Sequence, residues 1–481
     1  MNYNALLLSI IFIPVIGAFV LPLIGWTSRY FRNIFSLIFI LVSFVLSSAL
    51  IPLVMSGGTA TFSMPLAFGF NMVFTADGLA VFMACVSSFI SAVIILYSFD
   101  YISHYENQNE YYSMVVLFCG SMMGIVYSAN LILLFIFWEL TAITSWRLIG
   151  YFKEKVHVIK ADKAFLVTVF GALMMLIGFI AIYQQAGSFD LAVIKQTLSL
   201  HPLSNILLAL IFIGLLSKSA TLPFHTWLPD AGVAPSPVTA LLHAAVLVKI
   251  GVYVFARLFV STLTIGQIWH TIVPLIAVSS TLVSASAAMF ETDIKRLIAY
   301  STVSQIGFIF FGLATGNVIG VAGGLLYILM HGLAKAGLFL CAGIIEQNTK
   351  TKDITKLGGL MKTMPVTAMS FLFCALSVMG VPPFGGFFSK FMVFAGAVQA
   401  RQFMMAFFFL IGAFLTIIYL FRVFNMVFLG PAKGPQAKES SSMMVFCVAA
   451  LALLSLAGGL FISYPAEFAK VAAQQMLGVI K

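Results

Sequence analysis

Ionisable side chains occur inside stretches of this chain that are otherwise apolar. Glu139 lies in the run Leu-Leu-Phe-Ile-Phe-Trp-Glu-Leu-Thr, Lys218 lies within residues 211–221, and Lys249 lies within residues 244–254. A charge at the centre of a bilayer costs at least ~3 kcal/mol, so most membrane helices exclude such residues. We therefore interpret the three residues as functional. The alternatives are a structural bond between Glu139 and a neighbouring lysine, and lysines that snorkel to the membrane surface.

Two histidines accompany the lysines. His331 and Lys335 are four residues apart, so a helix places them on one face about 6 Å apart, where they can share water. His243 precedes Lys249 by six residues, a helical rise of roughly 9 Å that suits a step along a proton path better than direct contact. The alternative for each histidine is a satisfied core residue. Glu, Lys and His all change protonation when burial and partners alter their pKa values, so a water-linked file of them predicts proton transfer.

Proline clusters beside two lysines predict the elements that position these groups. The first cluster follows Lys218 and comprises Pro223, Pro229, Pro235 and Pro237, and the second, Pro382-Pro383, precedes Lys390. Proline removes a backbone donor and breaks a helix. Broken backbone at membrane depth is tolerated only where it faces protein or a water-filled cavity. Each cluster therefore predicts a broken helix that belongs to a hydrated path.

The composition places most of the chain inside lipid. Hydrophobic residues make up 62% of the sequence and charged residues 8%, with a mean hydropathy of +1.09. A spanning helix needs roughly 20 apolar residues, and about fourteen such stretches occur. We expect an all-α polytopic membrane protein whose first span, residues 5–24, is a permanent helix. The predicted span centres are Phe12, Val45, Val86, Val115, Leu134, Leu173, Leu208, Val246, Ala277, Phe308, Leu333, Leu376, Phe408 and Leu451.

Basic residues indicate the orientation, because lysine and arginine collect in short cytoplasmic loops. They follow the odd-numbered predicted spans, so we expect a multi-pass protein of the cell inner membrane with both termini outside the cytoplasm. These loops account for the net charge of +10. No basic patch with interleaved aromatic residues suggests nucleic acid. The basic residues concerned are Arg29, Arg32, Lys153, Lys155, Lys160, Lys295, Arg296, Lys350, Lys352, Lys356, Lys362, Arg422, Lys433 and Lys438.

The cysteines give no sign of redox chemistry. All five stand alone in apolar stretches, without a Cys-x-x-Cys pair or a His-rich tract nearby. We therefore expect no cofactor and no metal site in this chain, which limits it to moving something rather than oxidising it. The cysteines are Cys85, Cys119, Cys341, Cys374 and Cys447.

Taken together, these motifs resemble the antiporter-like membrane subunits shared by respiratory complex I, the Mrp cation/proton antiporters and the membrane-bound hydrogenases. The similarity extends from roughly the third predicted span to the thirteenth, and as a group the motifs are highly specific. The matching segments are residues 137–140 (Phe-Trp-Glu-Leu), 218–231, 235–245, 295–307 (Lys-Arg-Leu-Ile-Ala-Tyr-Ser-Thr-Val-Ser-Gln-Ile-Gly), 331–335 and 380–390.

The resemblance implies a fold of fourteen helices in which helices 4 to 8 and 9 to 13 form two inverted five-helix repeats, with helices 7 and 12 broken. It also implies four regions. Residues 1–110 hold the N-terminal helices, residues 111–258 the first half-channel repeat, residues 259–428 the second half-channel repeat, and residues 429–481 the C-terminal loop and last helix. The family's half-channel for proton uptake, with its switch pair, matches Glu139, Lys218 and Lys249. The central relay matches His331 and Lys335, and the exit residue matches Lys390.

From these positions we hypothesise a mechanism. Glu139 and Lys218 alternate between contact and separation, which changes the proton affinity of Lys218. The proton then passes through Lys249, His243, Lys335 and His331 to Lys390. Protons, with or without Na⁺, are the transported ions. The partners are further membrane subunits, other antiporter-like subunits among them.

One position departs from the family pattern. Arg147 stands where the family usually has an uncharged stretch, eight residues or about 12 Å of helix beyond Glu139. It either snorkels harmlessly at the cytoplasmic end, the interpretation that we favour, or modulates the uptake site by holding it at a more positive potential. The lysine rather than a glutamate at position 390 excludes the closest similarity to one of the three antiporter-like subunits of complex I. Lys249 argues against the longest of the three.

Three functions remain open from the sequence. The first is a non-redox, proton-translocating subunit of a redox-driven complex related to complex I or to membrane-bound hydrogenase, with the electron carriers on other chains. The alternative is a subunit of a multisubunit Mrp-type Na⁺/H⁺ antiporter. A stand-alone solute transporter or intramembrane enzyme is disfavoured, because the ionisable residues run along the chain and include no paired nucleophile and base.

Overall fold

Helices dominate the protein, as predicted. The computed structural model describes residues 3–66, 70–433 and 437–479. Two long helices and a short one begin the chain, and a hairpin separates them from the next long helix, α4. The elements are α1 (Tyr3–Thr27), α2 (Arg29–Ser48), α3 (Ile51–Met55), β1 (Ala60–Pro65), β2 (Asn71–Ala76) and α4 (Gly78–Tyr101).

The β-hairpin was not predicted from the sequence. β1 and β2 pair antiparallel, with Thr61 opposite Thr75 and Phe62 opposite Phe74. The two threonine Oγ1 atoms lie 3.1 Å apart, and the two phenylalanine rings stack with centroids 6.5 Å apart. Cross-strand pairs of β-branched and aromatic residues stabilise a short ribbon that would be marginal alone.

The middle of the chain contains the first break. Its helices are α5 (Gln108–Tyr127), α6 (Leu131–Ile149), α7 (Lys155–Ala186), α8 (Leu191–Leu200), α9 (Asn205–Lys218), α10 (Trp227–Asp230), α11 (Ser236–Ala240) and α12 (Leu247–Phe255), with a 3₁₀ turn at Ala231–Val233. Wider π-helical turns, Leu241–Ala245 and Ala256–Val260, flank α12. The span Ser236–Val260 therefore combines α-helical and π-helical turns.

The rest of the chain contains the second break. Its helices are α13 (Trp269–Phe290), α14 (Ile294–Ala314), α15 (Val318–Thr349), α16 (Pro365–Met379), α17 (Gly385–Gln399), α18 (Phe403–Phe424), α19 (Ser442–Leu460) and α20 (Ser463–Met476). Short 3₁₀ turns occur at Ile354–Lys356 and Leu360–Lys362, and a π-helical turn at Asn425–Leu429 continues α18.

Both predicted breaks are present. Lys218 is the last residue of α9, and Ala220 follows with a φ of 51°. In the second break, Gly380 ends α16 with a φ of 83°, and α17 begins at Gly385 and carries Lys390 in its second turn. The breaks contain the cis peptide bonds Leu222–Pro223 and Pro382–Pro383.

The helices separate into an inner and an outer set. In the described residues, 12 helices are long and apolar enough to cross a membrane. The spans Ser236–Val260, α14 and α15 are 100%, 94% and 94% buried in their most apolar stretches, whereas Arg29–Met55 is 28% buried. The count of fourteen spans stays a prediction, because α9 and α16 are apolar but too short to cross a membrane alone. The inverted repeats also stay a prediction. The spans that carry His243, Lys249, His331 and Lys335 therefore belong to the inner set.

Candidate functional site

The span Ser236–Val260 and α15 meet at Lys249 and His331. Lys249 Nζ on α12 lies 2.7 Å from Nδ1 of His331 on α15, and both side chains are completely buried. Lys249 also donates a hydrogen bond of 2.8 Å to the carbonyl oxygen of His243. The π-helical turn Leu241–Ala245 precedes this contact and shifts the helical register, a feature common at functional sites. The sequence predicted both residues but not their contact.

Lys335 has different partners from His331, one turn away on α15. Its ammonium donates hydrogen bonds to Ser301 Oγ at 2.6 Å and to the carbonyl of Ile298 at 3.2 Å, both on α14. The two residues share a helix face, but each side chain is satisfied by another helix. We find no direct bond between them in the described residues.

A chain of hydroxyl and amide groups continues from Ser301. Tyr419 on α18 donates to Ser301 Oγ at 2.8 Å, and Gln305 Nε2 lies 3.4 Å from the Tyr419 hydroxyl. Tyr327 on α15 donates to Gln305 Oε1 at 2.5 Å. This polar chain, which comprises Ser301, Tyr419, Gln305 and Tyr327, was missed by the sequence interpretation. The spacing of four residues between Tyr327, His331 and Lys335 was the available signal.

Lys390 lies beside the end of this polar chain. Its ammonium donates a hydrogen bond of 2.7 Å to the carbonyl of Val378, at the end of α16. It lies over the ring of Tyr327 at 5.4 Å and over the ring of Phe308 at 4.5 Å. The broken helix thus supplies the carbonyl, and the aromatic faces supply further cation–π attraction. Tyr327 borders both Lys390 and His331, whose ring centroid is 5.9 Å away.

Glu139 and Lys218 lie on adjoining helices but are apart. Lys218 donates a hydrogen bond of 3.1 Å to the carbonyl of Trp138 and lies over the indole ring at 5.2 Å. In the described residues, no nitrogen–oxygen contact within 4.0 Å joins Lys218 to Glu139. Glu139 Oε1 is buried without a hydrogen bond there. The lysine therefore contacts the residue beside the carboxylate rather than the carboxylate itself.

The His243 ring packs against an aromatic side chain. Its centroid lies 4.4 Å from that of Phe339, and neither ring nitrogen has a hydrogen-bond partner among the described residues. The histidine contacts Lys249 through its backbone carbonyl. The imidazole of His243, like the carboxylate of Glu139, thus contains a buried polar atom without a hydrogen bond in the described residues.

Of the five buried lysines in the described residues, four form no ion pair. In the described residues, Lys218, Lys249, Lys335 and Lys390 form no ion pair, whereas Lys295 pairs with Glu346 at 2.9 Å. A lysine in a salt bridge holds its proton, while one bonded to neutral oxygen or nitrogen atoms can exchange it. Another buried cation, Arg257 beside α12, bonds both oxygens of Asp77 at the start of α4. The four lysines form the group suited to proton exchange.

Arg147 lies outside this group. Its guanidinium bonds Glu110, whose other oxygen lies 3.5 Å from Lys153. The Arg147 side chain is 39% exposed, as expected at a helix end.

Asp230, in the segment after the first break, also binds basic residues. Burial raises the pKa of Asp230, but hydrogen bonds from Lys163 and Arg296 outweigh it and hold the pKa below its usual range. This carboxylate ties α7 to α14 through bonds of 2.7 Å to each basic residue.

The described residues were compared with the predictions for metal ligands and cysteines. No group of three or more His, Cys, Asp and Glu side chains is arranged to hold a metal ion in residues 3–66, 70–433 and 437–479. The five cysteines are free thiols, and four of them are buried.

Buried side chains that can exchange protons, some of them carried by broken helices, define a class of polytopic, ion-translocating membrane proteins. Residues 128–416 match the family model described as NADH:quinone oxidoreductase/Mrp antiporter, TM. Residues 64–112 match the model described as NADH-Ubiquinone oxidoreductase (complex I), chain 5 N-terminus. The chain belongs to this NADH:quinone oxidoreductase/Mrp antiporter family, which confirms the predicted resemblance.

Individual relatives are antiporter subunits by name. The chain is 36% identical over 407 residues to a probable K⁺/H⁺ antiporter subunit of Rhizobium meliloti (strain 1021), and the match covers 83% of this chain and 41% of that protein. It is 33% identical over 488 residues to an Na⁺/H⁺ antiporter subunit of Staphylococcus aureus, and that match covers 94% of this chain and 60% of the relative. The chain therefore spans about half the length of the curated relatives that it matches.

Solved structures share the fold. The Mrp complex from Dietzia sp. DQ12-45-1b contains a chain that matches with a TM-score of 0.90 and 22% identity, over 99% of this chain and 98% of that one. The membrane-bound sulfane sulfur reductase, an archaeal respiratory membrane complex, contains one that matches with a TM-score of 0.89 and 23% identity, over 98% of each chain. These matches establish the architecture of an antiporter-like subunit.

Proposed function

We propose that the chain is a proton-translocating, antiporter-like membrane subunit of a multisubunit complex. The observation that carries this proposal is the 2.7 Å contact between Lys249 Nζ and His331 Nδ1, which joins α12 to α15. Proton transfer needs a donor and an acceptor within hydrogen-bond reach. This buried pair meets that requirement.

The central step moves one proton from α12 to α15. The N–H bond of the Lys249 ammonium breaks as an N–H bond forms at Nδ1 of neutral His331, leaving a neutral amine and an imidazolium. The imidazolium then releases a proton from Nε2, which has no hydrogen-bond partner in the described protein. Lys335 and Lys390 receive it in turn, and the polar chain of Ser301, Tyr419, Gln305 and Tyr327 orients the groups between them.

Glu139 and Lys218 control proton uptake. In the arrangement described above, Lys218 is bonded to the Trp138 carbonyl and is apart from Glu139. Contact with the carboxylate stabilises the ammonium, and separation removes that stabilisation. Moving each proton against ~100 mV costs about 2.3 kcal/mol, which a neighbouring subunit supplies by driving the change between the two arrangements.

Two settings fit this role. The relatives at 33% and 36% identity are cation/proton antiporter subunits, which supports a Na⁺ or K⁺/H⁺ antiporter complex. The match to the sulfane sulfur reductase, a respiratory complex, keeps a redox-driven complex as the second candidate. In the redox-driven setting the electron carriers lie on other chains, because the cysteines of this chain stand alone in the sequence. The subunit lies in the cell inner membrane with both termini outside the cytoplasm, as the basic loops favour.

Purification of the native complex through a tag on this chain tests the proposal. Mass spectrometry of the co-purified proteins separates the settings: small membrane proteins alone indicate an antiporter, and iron–sulfur or dehydrogenase proteins indicate a redox-driven complex. The complex is then placed in vesicles with a pH-sensitive dye, and a cation gradient or the electron donor is applied. Proton movement that is lost in Lys249→Ala supports the function, and unchanged proton movement in that variant contradicts it.

A further inference from the structure

A polar cleft lies at one end of α1 and α2, away from the file of buried lysines. Its volume is about 710 Å³, and it is bounded by the turn between α1 and α2 and by residues 105–110. Arg29, Arg32, Glu106 and Glu110 lie in its wall. A cavity of this size accommodates a small polar ligand or a lipid headgroup.

Arg32 gives the cleft an uncompensated positive charge. The side chain is 2% exposed, and its guanidinium donates hydrogen bonds to Asn109 Oδ1 at 2.7 Å, Gln108 Oε1 at 2.8 Å and Asn33 Oδ1 at 2.8 Å. All of these acceptors are neutral amides, and no carboxylate lies within 4.0 Å in the described residues. A buried charge is normally paired with an opposite charge. The guanidinium of Arg32 is therefore not neutralised by a bonded carboxylate in the described residues.

The two carboxylates in the wall, Glu106 and Glu110, do not neutralise the charge of Arg32. Glu110 is already engaged by Arg147 and lies 3.5 Å from Lys153. Arg29 adds a further exposed cation one helical turn before the buried guanidinium, and Glu106 is the other acid. The wall and its bonded neighbours thus hold four cations against two carboxylates. A negatively charged ligand would offset this excess of positive charge.

The surface around the cleft identifies the source of the anion. Trp26 lines the cleft and is 77% exposed, and Tyr30 is 70% exposed. Exposed tryptophan and tyrosine at helix ends are typical of the headgroup region of a bilayer. An apolar stripe on α1, formed by Ile16, Phe19 and Leu23, leads along the helix to Trp26. A ligand in the cleft would therefore lie at headgroup depth above a lipid-facing surface.

We propose that this cleft binds the phosphate of an anionic phospholipid. Arg29 and Arg32 contact the phosphate oxygens, and an acyl chain lies along the apolar stripe of α1. Free phosphate shares the anion chemistry but does not use the stripe. The proposal is independent of proton translocation, because none of these residues belongs to the buried relay.

Lipid binding to the detergent-washed native complex tests the site. Native mass spectrometry and thermal unfolding are measured with phosphatidylglycerol, phosphatidylcholine or inorganic phosphate added. We expect phosphatidylglycerol alone to bind tightly and raise the unfolding temperature. Arg29→Gln should weaken its binding about fivefold, because one basic residue near an anionic headgroup has about that effect. Leu23→Ser should weaken it as well. Lys155→Gln, which removes an exposed cation at the start of α7, is the matched control and should change nothing.

Three results would overturn the proposal. Equal stabilisation by phosphatidylcholine would mean that the headgroup charge is not recognised. Reproduction of the effect by inorganic phosphate alone would make the cleft a site for free anions. Unchanged phosphatidylglycerol binding in Arg29→Gln would place the lipid elsewhere.

Discussion

Lys249 and His331 are joined by a contact of 2.7 Å between Nζ and Nδ1, although they are 82 residues apart in the chain. The lysine follows the first helix break, and the histidine precedes the second. Neither side chain forms an ion pair in the part of the chain that the structure describes. The proposed proton transfer depends on this contact, so its loss should interrupt conduction.

Removal of either residue tests the bridge. We expect Lys249→Ala and His331→Ala each to lower proton transport by at least about tenfold, since a positioned proton-transfer group contributes on this order or more. The double variant should be no slower than the slower single variant, because both substitutions break one pathway. Dye-based proton uptake in vesicles gives the rates.

Lys195→Ala is the control for this pair. Lys195 is an exposed residue of α8, so its removal changes the charge without touching the file. Losses in the double variant that equal the product of the two single losses would mean that Lys249 and His331 lie on separate routes.

Glu139 and Lys218 should behave as a coupled pair although they are not in contact here. Glu139→Gln removes the charge that attracts the Lys218 ammonium, and Lys218→Ala removes the ammonium itself. We expect a coupling of at least about 1 kcal/mol in transport rate between the two substitutions, measured as a double-mutant cycle. Purely additive losses would rule out a switch formed by this pair.

Tyr327→Phe tests the polar chain between Lys335 and Lys390. The substitution keeps the ring beneath the Lys390 ammonium but removes the hydroxyl bonded to Gln305 at 2.5 Å. The loss of one such bond corresponds to about 1 kcal/mol, so proton transport should fall about fivefold. Tyr183→Phe, at a residue 43% exposed on α7, should transport normally. Transport at the wild-type rate in Tyr327→Phe would exclude the polar chain from the path.

The sequence predicted the helices and their breaks for clear physical reasons. Apolar stretches predict spans because the bilayer excludes polar backbone, and all fourteen predicted centres lie in helices or, for Val246, in the span Ser236–Val260. Proline and glycine near Lys218 and Lys390 predicted the breaks because they constrain the backbone locally. The buried ionisable residues were identifiable because each is costly inside a membrane.

Tertiary contacts could not be predicted in this way. Helical spacing placed His331 beside Lys335, whereas packing pairs His331 with Lys249 and Lys335 with Ser301. Ser301 and Gln305 lie in the 295–307 motif, but helical spacing gives them no partner, because their contacts form only when α14, α15 and α18 pack together. The hairpin was missed because its strands have six residues each and lie between hydrophobic helices.

The buried pair of Arg257 and Asp77 should stabilise the fold. Arg257 Nη2 donates to Asp77 Oδ1 at 2.8 Å, and Asp77 also accepts a bond from the first turn of α4. Asp77→Asn leaves the guanidinium without a carboxylate, so the free energy of unfolding should fall by about 3 kcal/mol. Thermal unfolding of the purified protein measures the change. Glu467→Gln breaks an exposed pair with Lys470 and should cost less than about 1 kcal/mol. Equal losses in the two variants would contradict a special role for the buried pair.

Arg147→Gln distinguishes the two interpretations of the residue that departs from the family pattern. Arg147 lies at the end of α6, about 12 Å of helix from Glu139, and its guanidinium bonds Glu110. Salt screens exposed charges beyond about 8 Å, so the effect on Glu139 should be small. We expect proton transport within about twofold of wild type, since the field at this distance is weak. Glu110→Gln/Arg147→Gln, in which no carboxylate is left unpaired, is the matched control. A tenfold loss in Arg147→Gln that persists in the double variant, or a change in the cation exchanged, would show that Arg147 sets the potential of the uptake site.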